Sequence, residues 1–138
     1  GMFENAVIPG IPEALETLKN KGYILITATS KPERYAKKIM EKFDLARYFQ
    51  DICGADMEET RVRKGDVIRY AMEKNGITEA SQAVMVGDRE HDVLGAKECG
   101  MDCLGVLFGY GSREELKEAG ADNIAETVEE LKTLLLSL

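Results

Sequence analysis

The sequence has no tryptophan, one histidine and only three cysteines in 138 residues. Three cysteines cannot all pair within one chain, and none has Cys-x-x-Cys spacing, so we expect neither a disulfide scaffold nor a structural zinc site. No apolar run reaches about 18 residues, and no basic start precedes an apolar stretch, so we expect neither a membrane span nor a signal peptide. The expectation is a cytoplasmic protein with no membrane partner.

Positive charge is also in deficit, with 18 basic against 25 acidic residues and a net charge of −7. Such a chain repels the phosphates of nucleic acids at long range, so we expect no nucleic-acid partner. The hydrophobic fraction of 44% and the charged fraction of 31% are those of an ordinary globular protein. The length suits about one domain, which we expect to cover residues 1–138.

Short apolar runs alternate with amphipathic segments along the chain. The apolar runs predict strands at 23–29, 49–54, 83–86 and 103–108, with a minor strand or turn at 121–124. The amphipathic segments predict helices at 12–20, 32–43, 67–75, 90–99 and 113–119, and from 127 onward. This alternation predicts an α/β fold, a three-layer α/β/α sandwich with a mostly parallel, Rossmann-like sheet that binds ligands at the carboxyl ends of its strands.

Three helix starts have polar residues suited to capping. Ser30 is the predicted cap of the second helix and Asp66 that of the third. Ser112 and Glu115 fit a capping box at the fifth helix. The strand at 23–29 is predicted to be buried, as strands of parallel sheets usually are.

Thr29 ends the predicted strand at 23–29, and Ser30-Lys31 follows it directly. Two hydroxyls and an ammonium near a helix N-terminus suit a bound phosphate, because free N–H groups, the helix dipole and a positive charge act together. The alternative is a plain helix cap beside a solvated lysine.

Gly87-Asp88 follows the strand at 83–86, and Asp92 comes one helical turn later. Two carboxylates at this spacing can share one cation that prefers oxygen ligands, directly or through water. The alternative is one helix cap and one exposed acid. We expect His91, between the two acids, to be a surface side chain. Lys64 lies at the end of a polar loop. We expect a chemical role for it only if the fold brings it beside Thr29 and Asp88.

In this order, Thr29, Lys64 and the pair Asp88 and Asp92 resemble the second, third and fourth motifs of the haloacid dehalogenase (HAD) superfamily of phosphohydrolases. The resemblance covers essentially the whole chain. Pro9-Gly10 and Thr29-Ser30-Lys31-Pro32 are similar to segments of phosphoglycolate phosphatase-like members. Val86 to Asp92, with Gly109 to Ser112 downstream, resembles the related bacterial 5′-nucleotidase-type proteins.

The resemblance implies Mg²⁺-dependent hydrolysis of a phosphate monoester of a small phosphorylated metabolite. It gives Thr29 and Lys64 catalytic roles and makes Thr29, Ser30, Lys31 and Lys64 the phosphate-binding residues. Asp88 and Asp92 would form the magnesium site. Phosphoglycolate, a nucleoside monophosphate and pyrophosphate are all open as substrates.

One family motif has no counterpart in this sequence. The family's first motif, Asp-x-Asp on an opening strand, supplies the nucleophile and the general acid/base, and this sequence contains no Asp-x-Asp. We therefore expect a partial HAD-like core without the central first strand and without the cap domain, which cannot by itself form an aspartyl-phosphate. The two strands beside the missing one could close up, or a second chain or another copy of this chain could fill the place.

Two other interpretations compete with the enzyme. The first is a noncatalytic module that binds phosphate or a partner protein with the same fold. The second is a flavodoxin-like signalling receiver, which would need a lysine after its last long strand, where this chain has Gly109-Tyr110-Gly111.

Overall fold

The structure is a computed structural model that describes residues 8–58 and 60–138. In this part of the chain, six helices alternate with five strands. The helices are α1 (Ile11–Asn20), α2 (Glu33–Lys42), α3 (Lys64–Lys74), α4 (Glu90–Glu98), α5 (Arg113–Ala119) and α6 (Val128–Leu136). The strands are β1 (Ile26–Pro32), β2 (Asp51–Ala55), β3 (Val84–Gly87), β4 (Asp102–Val106) and β5 (Asn123–Ala125). None of the helices described is long and apolar enough to cross a bilayer.

The strands form two parallel sheets. β1 pairs with β2, from Ile26 opposite Asp51 to Pro32 opposite Ala55. The second sheet has the order β3-β4-β5. Within the described residues β1 and β3 do not pair with each other, so each presents an open backbone edge. The α/β architecture is as predicted, and the two strands beside the missing one have not closed up.

Helices cover both faces of the sheets. On β4, Leu104 packs in a cluster with Leu18 of α1 and Leu131 of α6. Its neighbour Cys103 packs on the opposite face with Val93 of α4 and with residues of α3 and α5. Because successive side chains of a strand point to opposite faces, this contrast places one helical layer on each side. The predicted three layers are confirmed.

The first strand differs from its prediction in position and in burial. It begins at Ile26, three residues later than predicted, because Tyr23 belongs to the turn that follows α1: its N–H donates to Leu18 O and its hydroxyl to Leu135 O. Residues 26–29 are only half-buried. The physical reason is the open edge, since no strand in the described part of the chain lies on the β3 side of β1 to cover it.

Two of the predicted helix caps are wrong. Ser30 lies within β1, and α2 begins only after Pro32, because a residue that precedes proline is driven away from helical geometry. Asp66 lies in the first turn of α3, whose hydrogen bonds begin at the carbonyl of Arg63. Ser112 does cap α5 by accepting from the N–H of Glu115.

Candidate active site

A cavity of about 370 Å³ lies between the open edges of β1 and β3. Its walls include Thr27 to Lys31 of β1, Met85 to Gly87 of β3, and the start of α4. Thr29, Lys64, Asp88 and Asp92 all line this one cavity. Residues up to 63 positions apart in sequence therefore meet at the carboxyl ends of two strands, where open α/β sheets bind their ligands.

The Thr29–Lys31 segment bulges out of the β1–β2 pairing. Ala28 lies opposite Cys53 and Pro32 opposite Ala55, so the three residues Thr29 to Lys31 of β1 lie opposite the single residue Gly54 of β2. Bulges of this kind redirect side chains and are common beside functional sites. The Thr29 hydroxyl accepts from the N–H of Lys31, which holds the bulge in shape. The residues predicted to bind phosphate therefore lie at a strand end, and α2 starts only beyond Pro32.

Gly54 on β2 accommodates this bulge. A Cβ at Gly54 would lie 2.6 Å from the Lys31 carbonyl oxygen and 2.7 Å from Glu33 Cα. No larger residue fits at this close approach of two backbones. The sequence interpretation did not identify this position, because a single glycine inside a predicted strand gives only a weak signal of a close contact.

Lys64 is the first residue of α3 and reaches into the cavity wall. Its Nζ lies 2.6 Å from Asp92 Oδ1 and donates to the carbonyl oxygen of Ala28 at 3.2 Å. The side chain is only 9% exposed. One ammonium thus links the open edge of β1 to α4 across the gap between the two sheets.

Asp92 is buried, and its carboxylate contacts two backbone N–H groups and one ammonium. Its Oδ2 accepts from the N–H groups of Asp88 and Arg89, at 3.0 and 3.2 Å, while Oδ1 faces Lys64. Burial alone would raise the pKa of Asp92, but the Lys64 ammonium and the backbone N–H groups outweigh it and hold that pKa below its usual value. Asp92 is therefore a carboxylate at neutral pH.

Asp88 is held by the loop after β4. Its Oδ2 accepts from the N–H of Tyr110 at 2.9 Å. Glycines flank Tyr110, and a Cβ on either Gly109 or Gly111 would overlap atoms of Asp88. The two glycines thus let this loop approach close enough to orient the carboxylate, a role the sequence interpretation did not assign to them.

The cavity mouth carries His91 and Arg89. His91 is exposed, as predicted, and its Nε2 lies 3.9 Å from Asp92 Oδ1. Arg89 donates to Glu115 of α5 at 2.8 Å, and this guanidinium holds the pKa of Glu115 below its usual value. The same Glu115 oxygen accepts the N–H of Glu90, so α5 caps the N-terminus of α4.

The donor chemistry of the cavity fits magnesium. Mg²⁺ is usually bound by one or two carboxylates, with water and substrate phosphate completing its shell. Asp88 provides a carboxylate at the cavity surface, and Asp92 lies directly behind it. In the described part of the chain no three acidic, imidazole or thiol side chains converge as a complete metal cage. These residues therefore suit a cation shared with a bound phosphate.

The fold and the position of this cavity define a Rossmann-like α/β domain with its site at the carboxyl ends of the strands. The chain belongs to the haloacid dehalogenase-like hydrolase family, whose model matches residues 4–106. The family resemblance predicted from the motifs is thereby confirmed.

The curated relatives include a 5′-nucleotidase and a phosphoglycolate phosphatase. The chain is 43% identical over 117 residues to a 5′-nucleotidase of Pseudomonas aeruginosa, covering 85% of this chain and 52% of that protein. It is 32% identical over 123 residues to a phosphoglycolate phosphatase of Vibrio parahaemolyticus, covering 89% of this chain and 54% of the relative. The chain therefore spans about half the length of these relatives.

Solved structures show the same fold. A predicted phosphatase from Clostridium acetobutylicum superposes with a TM-score of 0.95 at 47% identity, over 99% of this chain and 63% of that one. The protein tyrosine kinase A of Mycobacterium tuberculosis superposes with a TM-score of 0.79 at 34% identity, over 94% of this chain and 61% of that one.

Proposed function

We propose that this chain is the core portion of a Mg²⁺-dependent, phosphoglycolate phosphatase-like hydrolase that cleaves phosphate monoesters of small metabolites. The observation that carries the proposal is the meeting of Thr29, Lys64, Asp88 and Asp92 at one cavity. A hydroxyl, an ammonium and two carboxylates at strand ends match the charges of a phosphoryl group and its cation. Membership of the hydrolase family supports the same reaction class.

Each residue has a role that follows from its place. The bulge at Thr29–Lys31 offers hydroxyls, N–H groups and the Lys31 ammonium to phosphoryl oxygens. Lys64, oriented by Asp92 and Ala28 O, neutralises charge that builds up between the phosphate and an attacking carboxylate. Asp88 holds Mg²⁺, with Asp92 positioning it or a bound water; when bound, the cation supplies positive charge at the phosphoryl oxygens.

The chain alone is expected to be catalytically inactive. The only carboxylates among the described residues that line the cavity are Asp88 and Asp92. Asp88 Oδ2 accepts from Tyr110 N–H, and Asp92 is buried against Lys64 and two backbone N–H groups. Neither is placed as a free nucleophile, so the attacking carboxylate must come from elsewhere.

The open edges of β1 and β3 indicate where the attacking carboxylate would enter the cavity. Among the described residues, neither edge is paired with another strand on the side that faces the cavity. The buried hydroxyl of Thr27, on β1, has no hydrogen-bond partner among the residues that the structure describes. A strand inserted between β1 and β3 would satisfy both edges. We propose that a segment outside these 138 residues, or a second chain, supplies this strand and its nucleophile.

The test combines ligand binding with turnover. Titration of inorganic phosphate with Mg²⁺ present, followed by ³¹P NMR, should show saturable binding to the wild-type chain and at least about tenfold weaker binding to Lys64→Gln, which has lost its cation. Binding that is equal in both proteins contradicts the phosphate site. Arg63→Gln, one residue earlier and pointing to the surface, is the matched control.

Turnover is measured on an aryl phosphate, a nucleoside monophosphate and phosphoglycolate. The chain alone should release no phosphate from any of them. Turnover that Asp88→Asn abolishes would show that the chain is competent after all. The noncatalytic alternative, favoured by the missing nucleophile, predicts phosphate binding without turnover even when a longer chain supplies the strand between β1 and β3.

A further inference from the structure

Arg61 lies outside the cavity but joins the elements that form it. Its guanidinium stacks over the ring of Tyr70 in α3, 3.6 Å from the ring centre, and its Nε donates to Gly54 O of β2 at 2.9 Å. Another nitrogen lies 3.6 Å from Glu33 Oε1, at the start of α2. The side chain is only 20% exposed. A single planar group thus contacts three elements.

These contacts connect Arg61 to the residues that we propose bind phosphate. Glu33 also accepts the N–H of Gly54, and Gly54 is the residue against which the Lys31 carbonyl packs. Arg61 therefore lies behind the bulge that contains Thr29. Arg61 is also connected to Lys64. It precedes Lys64 by three residues, and its contact with Tyr70 holds α3, of which Lys64 is the first residue.

Among its described residues, the loop between β2 and α3 is attached to the rest of the molecule mainly by its arginines. Its apolar residues Met57 and Val62 are exposed and so contribute no core packing. Asp56 accepts N–H groups of Thr60 and Arg61, which shapes the loop internally but does not attach it to the sheet. Segments with few buried contacts open at low free-energy cost. The Arg61 contacts attach this loop to β2 and α2, and so help to keep the start of α3 in register with β1.

We propose that Arg61 is a positioning residue that holds Lys64 at its place opposite the Thr29 bulge. The proposal deepens the phosphatase function and rests on it for the role of Lys64. Lysine is not equivalent here, because only a flat, forked guanidinium can stack on Tyr70 while it donates sideways to Gly54 and faces Glu33. Arg61 touches neither the cavity nor a substrate bound there, and acts through Lys64.

The experiment compares Arg61→Ala and Arg61→Lys with Arg63→Ala in the 138-residue chain. Arg63 is the matched control, since it lies between Arg61 and Lys64 in sequence, is 70% exposed and pairs with Glu98 at the surface. The first readout is the ¹⁵N-resolved NH₃⁺ signal of Lys64, which Lys64→Gln assigns by its loss. A buried, ion-paired ammonium exchanges slowly enough to be seen, and this signal requires neither magnesium nor turnover.

We expect the Lys64 signal to broaden or disappear in both Arg61 variants and to persist in Arg63→Ala. The dissociation constant for inorganic phosphate with Mg²⁺ should rise about tenfold in Arg61→Ala and stay within about twofold in Arg63→Ala. Circular dichroism identifies a temperature at which the wild type and the variants are folded, and the measurements are made there. If Arg61→Ala is unfolded throughout, Arg61→Lys alone decides.

An unchanged Lys64 signal in a folded Arg61 variant overturns the proposal. If the wild-type chain binds no phosphate, the proposed function fails, and the Lys64 signal still decides whether Arg61 positions that side chain. The two failures are therefore distinguishable.

Discussion

Asp92 shows how much one side chain contributes to this site. It closes the first turn of α4 through two backbone N–H groups, and it neutralises Lys64 in a place that water hardly reaches. A buried charge that loses its partner is far more costly than the intact pair is favourable. Asp92 and Lys64 are therefore best regarded as one unit that stabilises the fold and prepares the site.

Replacing Lys64 with methionine should therefore destabilise the chain although the apolar stem is kept. We expect a loss of about 3 kcal/mol in the free energy of unfolding, because the Asp92 carboxylate is left buried without its cation. Urea denaturation at neutral pH measures this loss. The double variant with Asp92→Asn should recover part of it; a single variant as stable as wild type would refute the buried pair.

Asp51 is a second residue whose charge matters, at the opposite end of β2 from the cavity. It accepts from Lys74 Nζ at 3.2 Å and from Asn75 Nδ2 at 3.0 Å, which joins the end of α3 to the start of β2. Burial alone would raise the pKa of Asp51, but the hydrogen bonds from Asn75 and Lys74 outweigh it and lower that pKa below 3.8.

A lowered folded-state pKa sets the sign of the pH dependence. Asp51 then binds a proton more readily in the unfolded chain than in the folded protein. Its stabilisation is therefore complete above the pKa that Asp51 has in the unfolded chain, and it is lost as the pH falls through the pKa that Asp51 has in the folded protein. Asp51→Asn should be less stable than wild type at about pH 6, and the difference should shrink toward about pH 3. Guanidinium denaturation at both pH values checks this; a constant difference would contradict it.

At the scale of elements, the contact between α3 and α4 determines where Lys64 lies relative to Asp92. The two helices meet at Gly65 and Gly95, and a Cβ on Gly95 would lie 2.9 Å from both Gly65 N and Lys64 Cγ. Gly95 is one turn from Asp92 on the same helix. The absence of a side chain at Gly95 therefore allows the approach that forms the ion pair.

Gly95→Ala tests this contact through the sign of its effect. Alanine in an unhindered helix should stabilise by up to about 1 kcal/mol relative to glycine. Here we expect a loss of about 1–3 kcal/mol, since the added methyl group pushes the helices apart. Thermal and urea unfolding measure the change, with the exposed neighbour Leu94→Ala as control, expected within about 0.5 kcal/mol of wild type. Stabilisation by Gly95→Ala would show that the helices do not pack this closely.

At the scale of the whole molecule, the two separate sheets are the dominant feature. β4 lies between β3 and β5, whereas β1 and β3 each have one neighbouring strand among the residues that the structure describes. Contacts across the gap come from side chains, such as Lys64 bonded to Ala28 O. The β1–β2 unit is therefore attached to the rest through helices and side chains, without a shared backbone ladder.

This arrangement predicts a pattern of amide protection. Amides of β4 should exchange with solvent much more slowly than amides of β1 and β3 that point into the gap, because only the former are hydrogen-bonded between strands. Hydrogen–deuterium exchange at several protein concentrations measures both sets. Equal and strong protection at low concentration would contradict an open gap, while protection of β1 and β3 that grows with concentration would indicate that a second copy fills it.

Much of the fold and part of the candidate site could be predicted from residues that are close together in the sequence. The alternation of strands and helices gave nearly all the elements, with errors of one to three residues at their ends, and the strand-end residues Thr29 and Asp88 do line one cavity. The predicted caps Ser30 and Asp66 failed because the backbone around Pro32 and Arg63 decided where α2 and α3 begin. The positions Gly54, Arg61, Gly95 and Gly111 carried no local signal of their roles.

The sequence by itself determined the order of elements, the parallel α/β class and the chemical groups at the strand ends, since each depends on residues a few positions apart. Only the tertiary structure decided that β1 and β3 stay apart, that Lys64 pairs with Asp92, and that Arg61 ties α3 to the end of β2. These features arise from contacts between residues distant in the chain, which follow from how the layers pack rather than from local sequence pattern.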